Sequence, residues 1–386
     1  MKTFFIYSFG CKVNRFESQL IEQKLNEQGF VKTANLNEAD IIIFNSCSVT
    51  NMADKECHYY IRKTLKLSHN PKIILTGCMS KTAGLNELYP SLEIVTDKTK
   101  LFSDPQKQTI KNFSGRSRAF LKIQDGCNSF CSYCIVPYIR NELWSKPCKV
   151  ILDEICELNK KGFYEIVLTG IHIGKFKPSI VELLGEIVKI PLNFRVRLSS
   201  IDIGEIDDNL INLLQQYPHK ICDHLHIPLQ SGSDKILRLM NRKYSALEFS
   251  KKLLDLKKRF PQICISSDII VGFPGESDFD NQASLNFIKD HPFSRLHIFR
   301  YSDRNSTAAS KFSDKVAPEK IKQRSKEFFE IDALKRKEFL KQNLNKESFA
   351  VCINGNKALT SNYICISNVE KQEGIFPVII NSQASI

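Results

Sequence analysis

The sequence has no apolar run that approaches the about 18 residues needed to span a membrane as a helix, so a membrane-spanning protein of that kind is excluded. It also lacks short-period repeats and low-complexity tracts. Of its 386 residues, 25% are charged and 42% are hydrophobic, which excludes a disordered or collagen-like chain. The apolar run before Cys11 is too short, and follows too little positive charge, for a secretion signal. It is better interpreted as a first β-strand, and we expect a cytoplasmic location.

Acidic residues are fewer than basic ones: 42 Asp and Glu face 55 Lys and Arg, which gives a formal charge of +13. A basic surplus suggests a polyanionic partner, although basic surfaces also serve solubility. The 13 cysteines are not expected to form a disulfide framework in a reducing compartment. Metal binding, catalysis and simple burial must therefore account for them.

The chain divides into five segments and predicts an α/β protein. Residues 1–100 alternate apolar runs with helical patterns, which indicates a doubly wound parallel sheet. Residues 101–118 are polar and predict a linker. Six strand–helix units in 119–317 predict an open, partial barrel of the triosephosphate-isomerase type. Residues 318–346 predict a basic helix, whose charge fits a solvated face or a nucleic-acid contact. Residues 347–386 predict a short or truncated β-domain.

A C-x3-C-x2-C triplet follows the first predicted strand of the barrel. Its members are Cys127, Cys131 and Cys134. Three thiolates on one loop can hold three irons of a four-iron cubane and leave the fourth iron open to a ligand. A structural zinc site normally needs four ligands. The next candidates, Cys148 and His172, are distant in sequence, so we expect the open iron–sulfur cluster.

This triplet resembles the signature of the radical S-adenosylmethionine (SAM) superfamily. The resemblance implies that the amino and carboxylate groups of SAM bind the open iron. One electron from the cluster then splits SAM into methionine and a 5′-deoxyadenosyl radical. Strand ends would hold the cofactor, although each of these short motifs could equally be a tight turn. The expected SAM contacts are Thr169, Gly170, Ser199, Ser200 and Gly272.

A second set of three cysteines is spread over the first segment. Cys11, Cys47 and Cys78 each follow one of its predicted strands. The carboxyl ends of parallel strands lie on one edge of a sheet, so these cysteines are expected to meet. Their number again suggests a cluster with an open iron. The alternative is three buried thiols that happen to lie at strand ends.

Local motifs around both sets resemble the methylthiotransferases over roughly residues 1–340. These motifs lie at 9–14, 45–51, 76–78, 123–127 and 226–233. Within the family, the Gly-Cys-Lys-Val-Asn motif at 10–14 and the strand-end motif at 167–174 resemble the branch that acts on N6-threonylcarbamoyladenosine in tRNA. The isopentenyladenosine branch typically has Gly-Cys-Gln-Met-Asn at the first motif, and the ribosomal-protein branch has Gly-Cys-Pro-Lys-Asn.

The resemblance implies two 4Fe-4S clusters and two molecules of SAM. One SAM methylates a sulfur carried by the auxiliary cluster on Cys11, Cys47 and Cys78. The other yields the radical that abstracts hydrogen from C2 of the adenine, where the methylthio group is installed. Expected partners are the tRNA anticodon loop, an electron donor and a sulfur source, with no membrane. The alternatives are the same chemistry on isopentenyladenosine or a ribosomal protein, and a non-catalytic two-cluster electron carrier.

Some residues depart from the family pattern. Arg140 precedes Asn141 where the family usually has glycine, and Lys146 follows Ser145 where the family usually has arginine. The last segment resembles an RNA-binding TRAM β-barrel but is shorter than usual.

Other polar and sulfur-containing residues favour structural roles. His224 and His226 alternate with apolar residues on a predicted strand, which favours buried, hydrogen-bonded rings over metal ligands. The cysteines interpreted as structural are Cys57, Cys148, Cys156, Cys222, Cys264, Cys352 and Cys365.

Overall fold

In the computed structural model, the N-terminal segment folds around a five-stranded, fully parallel sheet in the order β2-β1-β3-β4-β5. Its strands are β1 (Thr3–Ser8), β2 (Val31–Lys32), β3 (Ile41–Ser46), β4 (Lys72–Gly77) and β5 (Glu93–Ile94). Its helices are α1 (Lys12–Glu27), α2 (Asn51–Thr64) and α3 (Leu85–Leu88). The central strands β3 and β4 are almost continuously buried, as expected for a parallel sheet covered on both faces.

The structure describes residues 1–114, 117–370 and 372–386. Two positions of the expected linker, 115 and 116, and one position of the C-terminal segment, 371, lie outside the described residues. Elsewhere in the linker, Phe102, Ile110 and Phe113 are buried in the main hydrophobic core. The linker is therefore packed against both of the segments that it joins.

The central segment forms the expected six-stranded partial barrel with a small hairpin at its start. Its strands are β6 (Ala119–Lys122), β7 (Gln124–Asp125), β8 (Trp144–Ser145), β9 (Glu165–Thr169), β10 (Arg195–Leu198), β11 (His224–His226), β12 (Cys264–Val271) and β13 (Arg295–Arg300). Strands β7 and β8 pair antiparallel as the hairpin. The others form two parallel triplets, β6-β9-β10 and β11-β12-β13, which parallel bridges from Val196 to Ile221 and from Ser200 to His226 connect.

Helices cover the outside of the barrel. They are α4 (Val136–Ile139), α5 (Cys148–Lys160), α6 (Ile180–Val188), α7 (Asp208–Gln216), α8 (Asp234–Leu239), α9 (Ala246–Arg259) and α10 (Asp278–Asp290). The long helix α11 (Pro318–Asn343) then packs on α10 and β13. No helix among the described residues is long and apolar enough to cross a membrane.

The N-terminal domain lies across the open side of the barrel. Helix α1 packs on the edge strand β6. At the other edge, the loop after β13 contacts the start of α2: the Asn51 amide donates to Ser302 Oγ at 2.9 Å, and Arg304 donates to Asp54 at 2.6 Å. Both edges of the partial barrel are thus held by the same domain.

The C-terminal segment forms a four-stranded antiparallel sheet in the order β16-β15-β14-β17. Its strands are β14 (Glu347–Cys352), β15 (Lys357–Thr360), β16 (Cys365–Ser367) and β17 (Phe376–Ile379). This confirms the short β-domain.

Two buried arginines attach this sheet to the N-terminal ends of the barrel strands. Arg195 donates to the carbonyls of Phe349 and Leu359 at 2.7 and 2.8 Å. Arg197 donates to the carbonyls of Ser361 and Thr360 at 2.8 and 3.0 Å. The small sheet therefore covers the bottom of the barrel.

The carboxylate of Glu165 compensates the positive charge of both arginines. Its carboxylate accepts from Arg195, Arg197 and Arg118, and it is fully buried. Although burial opposes ionisation, Arg197 and Arg195 hold the pKa of Glu165 well below its usual value. The arginines thus remain charged and compensated while they bind the C-terminal sheet.

We predict that Arg195→Met lowers the free energy of unfolding by about 3–5 kcal/mol, because it leaves a buried carboxylate short of a partner. Urea unfolding measures the loss, and limited proteolysis should show earlier cleavage in 347–386. The control is Lys160→Met, which removes an ion pair whose two side chains are 68% and 59% exposed; no measurable change in stability is expected. Equal effects of the two substitutions would contradict this account of the attachment.

Candidate active site

The structure brings the first three cysteines to one edge of the N-terminal sheet, as the strand pattern predicts. Cys11 follows β1, Cys47 follows β3 and Cys78 follows β4, and these three strands are neighbours. In this strand order, the chain reverses its direction of winding between β1 and β3, and ligands of open α/β sheets typically bind at that point. The cysteines therefore lie where the topology opens a crevice.

The three thiols are close enough to influence one another electrostatically. Burial, with smaller contributions from Cys78 and Cys11, raises the pKa of Cys47 to about 12. Cys11 and Cys78 each precede a helical turn, but neither side chain caps it. Their sulfurs thus remain free for another ligand. A bound metal ion reverses the pKa shift, because it deprotonates coordinating thiols.

Glycines allow the strand ends to approach one another. Gly10 has φ +79°, and a Cβ placed on it would lie 2.5 Å from the Sγ of Cys47. Gly77 has φ +89°, and its Cβ would lie 2.4 Å from the carbonyl oxygen of Ser46. A larger residue at either position would force the cysteine loops apart.

Two buried asparagines from the motifs fix the same loops. The Asn14 side chain donates to the carbonyls of Phe9 and Ser46, at 3.0 and 2.7 Å. The Asn45 side chain donates to the Asn14 carbonyl at 2.7 Å. These bonds tie the end of β1 to the end of β3. The asparagines are thus positioning residues, a role that the sequence motif did not specify.

The second cysteine set lies on the loop after β7. Ser129 donates its amide hydrogen to Cys127 Sγ at 3.4 Å, and Arg242 donates to Cys131 Sγ at 3.5 Å. The amide of Cys134 donates to the carbonyl of Cys131 at 2.9 Å. Donors aimed at sulfur stabilise a negatively charged cluster and tune its potential. The donor set therefore fits an iron–sulfur cluster.

His172 and Gln124 connect this loop to the end of β9. The sequence analysis did not predict a positioning role for either residue. His172 Nδ1 lies 3.7 Å from Cys127 Sγ, and its Nε2 lies 2.6 Å from Glu205. Although burial disfavours the imidazolium, these two partners raise the pKa of His172 to about 9. Gln124 accepts from the His172 amide at 2.7 Å and donates to the Gly126 carbonyl at 2.8 Å.

The expected SAM contacts lie at three strand ends. Thr169 ends β9, and Gly170 packs against Gln124, which would lie 3.0 Å from an added Cβ. Ser199 and Ser200 follow β10, and the buried Ser199 hydroxyl has no hydrogen-bond partner among the described residues. Contact of these residues with SAM stays a prediction.

Gly272 differs from the other expected SAM contacts. It follows β12, but its Cα faces Ile321 of α11, which would lie 2.3 Å from an added Cβ. The missing side chain thus accommodates a helix, and a cofactor approach at Gly272 rests on the motif alone.

A buried cluster of charges lies between the two cysteine sets. The Arg140 guanidinium donates to Asp125 at 2.8 Å, to Glu17 at 3.0 Å and to Asn14 at 2.8 Å. Lys98 and Lys122 also bind Glu17. The Arg140 carbonyl accepts from the amide of Cys127 at 3.2 Å. One residue thus contacts both cluster loops.

Lys146, the second departure from the family pattern, is fully buried. It donates to Glu154 at 2.6 Å and to the Gln108 carbonyl at 2.9 Å, and it lies over the ring of Phe16. A lysine satisfies this carboxylate with a single contact, where arginine would offer a fork. The substitution is thus accommodated within the core.

A cavity of about 450 Å³ lies between Cys11 and the inside of the barrel. Lys12 and Arg15 of α1 line it from one side, and Ser199, His226 and Asp268 line it from the barrel. The cavity connects the first cysteine set with the barrel interior.

The histidines of β11 are buried and hydrogen-bonded, as predicted. His224 and His226 both contact Ser266 Oγ, at 3.2 and 2.9 Å. His226 Nε2 and His297 Nδ1 lie 3.0 and 3.3 Å from Asp268, close enough that the three could also hold a metal ion. Although burial opposes ionisation, the two histidines hold the pKa of Asp268 well below its usual value.

The remaining cysteines lie outside both sets. Cys57, Cys222 and Cys264 are buried, and the others are half-buried. Burial raises the pKa of each of these three thiols to about 12. Neutral, buried thiols agree with the structural role predicted for them.

Comparison with known proteins defines the class. Residues 121–288 match the family model of the radical SAM superfamily, and residues 3–96 match "Uncharacterized protein family UPF0004". The fold is similar to the radical SAM methyltransferase TsrM of Kitasatospora setae, with a TM-score of 0.59 and 12% identity over 80% of this chain and 77% of that chain. The chain is thus a radical SAM protein.

Relatives narrow the class further. The chain is 36% identical to threonylcarbamoyladenosine tRNA methylthiotransferase MtaB of Thermotoga maritima, over 87% of this chain and 82% of the relative. It is 31% identical to tRNA-2-methylthio-N(6)-dimethylallyladenosine synthase of Acetivibrio thermocellus, over 83% and 74%. The chain belongs to the radical SAM methylthiotransferase family, a family of sulfur-transferring enzymes, as its motifs indicated.

Two glycines allow a matched test of the first cysteine set. Gly10 and Gly29 both have positive φ, +79° and +82°, but a Cβ on Gly29 would meet nothing within 4 Å. Gly29→Ala should cost about 1 kcal/mol through its backbone conformation alone. Gly10→Ala should cost about 1–3 kcal/mol more, because its methyl group overlaps Cys47. Urea unfolding of the metal-free chain measures the difference, and equal losses would show that the loops separate without strain.

Proposed function

We propose that this protein installs a methylthio group at C2 of N6-threonylcarbamoyladenosine next to the anticodon of tRNA. The observation that carries the proposal is the pair of three-cysteine sets, one on each side of the Arg140 charge cluster. The Cys-Lys-Val-Asn motif and the five threonylcarbamoyladenosine-specific relatives, at 33–36% identity, support the substrate. A tRNA substrate also agrees with the expected cytoplasmic location.

The residues fit the cofactors of the family. Cys127, Cys131 and Cys134 would hold the 4Fe-4S cluster that binds SAM, and Cys11, Cys47 and Cys78 would hold the auxiliary 4Fe-4S cluster. When bound, the clusters and SAM supply the electron, the radical and the sulfur for the transfer. Thr169, Gly170, Ser199, Ser200 and Gly272 are the proposed SAM contacts. An external electron donor and a sulfur source complete the proposed partners.

The protein itself orients these groups and excludes water. Arg140 fixes the two cluster loops relative to each other, and the N-terminal domain covers the open side of the barrel. The C-terminal sheet covers the bottom of the barrel. The reactive position is thereby screened from solvent on these sides, which protects a radical from side reactions.

A basic groove on α2 is the proposed contact for tRNA phosphates. Lys55, Arg62, Lys63 and Lys66 line it together with Tyr59, whose side chain is 61% exposed. None of the four cations forms an ion pair within the described part of the chain. The groove belongs to the helix that follows Cys47, so bound RNA would lie near the first cysteine set.

Fewer cations of helix α11 are free to bind phosphate than its composition suggests. Arg324, Arg336 and Lys320 pair with acidic side chains of the protein, and Lys335 donates to the Lys289 carbonyl. The other five cations of 318–346 form no ion pair among the described residues, so a solvated face and a phosphate contact both remain alternatives for them: Lys322, Lys326, Lys337, Lys341 and Lys346.

The same chemistry on an isopentenyl-type adenosine is the second candidate, because the dimethylallyladenosine relatives are 31–34% identical. Nucleoside mass spectrometry of tRNA from cells with and without the protein decides between them. We expect the methylthiolated threonylcarbamoyladenosine to disappear. A product found only on isopentenyladenosine, or only on a ribosomal protein, would overturn the substrate assignment.

The two cysteine sets should separate functionally. Anaerobic reconstitution should load about eight irons per chain, and replacing either set by Ala should leave about four. Loss of Cys127, Cys131 and Cys134 should abolish SAM cleavage. Loss of Cys11, Cys47 and Cys78 should preserve uncoupled cleavage and abolish methylthiolation.

A control removes three cysteines outside both sets. A Cys156→Ala, Cys352→Ala, Cys365→Ala variant should keep the full iron content and full activity. If no variant makes 5′-deoxyadenosine and the wild type makes none either, the protein is the electron carrier of the alternative interpretation.

Binding of tRNA should depend on salt through the α2 groove. Each neutralised phosphate adds about 0.7–0.9 to the slope of log K against log salt. An Arg62→Gln, Lys63→Gln, Lys66→Gln variant should therefore bind more weakly and with a shallower slope. A control with the same charge change on the outer barrel helices, Lys161→Gln, Lys251→Gln, Lys258→Gln, should leave the slope unchanged. Equal slopes for both variants would exclude the groove as a phosphate contact.

A further inference from the structure

The cavity beside Cys11 has unpaired positive charge. Lys12, Arg15, Arg118, Arg197 and Arg295 all line it. Arg118 and Arg197 are paired with Glu165. Lys12, Arg15 and Arg295 have no carboxylate partner in the ranges that the structure describes. Three cations thus face the same space without an ion pair among the described residues.

The acidic residue of the cavity, Asp268, forms no ion pair with these cations, although its charge acts on Lys12. Asp268 lies between His226 and His297, 3.0 and 3.3 Å from their ring nitrogens. Its carboxylate is thereby already engaged. The remaining histidine, His224, stays neutral, because burial and the neighbouring Arg197 hold its pKa well below the usual value. The cavity as a whole is therefore cationic.

The cavity also has polar atoms that lack partners. Ser199 and His224 are 7% and 6% exposed, yet Ser199 Oγ and His224 Nδ1 make no hydrogen bond among the described residues. The Nε of Arg295 is likewise buried and unpartnered. Buried polar atoms rarely stay unpaired, so their presence around one cavity indicates a site for a polar ligand. Asp268 Oδ1 also makes no hydrogen bond within the described ranges, so the unpaired atoms include an acceptor, and it is the three cations that favour an anionic ligand.

Cys11 and Lys12 place this charge at the proposed site of sulfur transfer. Lys12 directly follows the cysteine, and Arg15 lies one helical turn along α1, so both can face the same neighbour. The loop of Cys127, Cys131 and Cys134 does not line this cavity. Ser199 and Ser200, two of the proposed SAM contacts, line the barrel side of the cavity, whereas Lys12 and Arg15 line the side next to Cys11. An anionic group beside Lys12 and Arg15 is therefore assigned to the substrate.

We propose that Lys12 and Arg15 bind the carboxylate of the threonyl substituent and so select an acidic N6 substituent over an apolar one. The inference rests on the proposed function, because that substrate supplies the carboxylate. Charged donors recognise carboxylates strongly, since such hydrogen bonds are about twice as strong as neutral ones. An apolar dimethylallyl group would instead leave both cations desolvated and unpaired, which disfavours it.

The test compares two anticodon stem-loops that differ only in this charge. One carries N6-threonylcarbamoyladenosine, and the other carries its neutral methyl ester. The reconstituted wild-type enzyme should bind the acid about 10- to 100-fold more tightly, which is the range for one charged hydrogen bond. Lys12→Gln should lose most of that preference, and Lys12→Arg should retain it. Arg15→Gln should reduce it as well.

Control measurements separate recognition from damage to the cluster. Iron content and uncoupled SAM cleavage of Lys12→Gln should equal those of the wild type. Lys24→Gln, the same charge change at the far end of α1, should keep the full preference for the acid. An undiminished preference in both Lys12→Gln and Arg15→Gln would overturn the inference. It would leave the proposed function standing, which fails separately if the wild type does not methylthiolate the acid.

Discussion

The arrangement of the active site depends on one buried guanidinium. Arg140 binds Asp125, which precedes the Cys127 loop, and it binds Glu17 and Asn14, which follow Cys11 on α1. Two carboxylates and three cations meet here with little access to solvent, so both carboxyl groups stay ionised: the cations hold the pKa of Asp125 to about 2 despite its burial. Removing one member of such a cluster leaves a buried charge uncompensated. The arrangement is therefore stable only when all of its members are present. This contact ties the loop of the second cysteine set to α1, the helix that follows Cys11.

This constraint explains why the N-terminal domain lies across the barrel. Six parallel strands leave a barrel open between β6 and β13. Helix α1 covers the first edge, while Asn51 and Asp54 of α2 hold the loop beyond the second. The cavity is thus lined by the N-terminal domain, the barrel and Tyr363 of the C-terminal segment, so no one of them would form it alone. A chemistry that joins one cluster's radical to another cluster's sulfur needs such a shared space.

Periodicity and strand-end logic predicted the sheets, the six barrel strands and the meeting of Cys11, Cys47 and Cys78, because parallel topology places strand ends together. The short strands β2, β5 and β15 were not predicted. They have two to four residues, which is too few for a strand periodicity to be recognised in the sequence. The positioning residues Arg242 and His172 also escaped, since their partners lie 111 and 45 positions away. No local pattern encodes such contacts. The sequence motif marks Gly10 and Asn14 but does not explain them. The structure does, because Gly10 lies against Cys47 and the Asn14 side chain donates to the Ser46 carbonyl.

The net charge of +13 shows the same limit of sequence-based prediction, because composition does not say where in the structure the surplus basic residues lie. Part of the basic inventory lies inside the protein: Arg195 and Arg197 hold the C-terminal sheet against the barrel, and Arg324 fixes α11. These cations are compensated and are unavailable to a polyanion. The cations without an ion pair in the described residues include two groups that line cavities, one on the exposed face of α2 and one beside Cys11. The first can contact phosphates only at the surface, where binding is salt-sensitive and independent of the base. The second lies between α1 and the inside of the barrel, beside Cys11, where the proposed function would place the modified base. On the proposed function, tRNA affinity and substrate selectivity would therefore reside in different places, the α2 groove and the cavity beside Cys11.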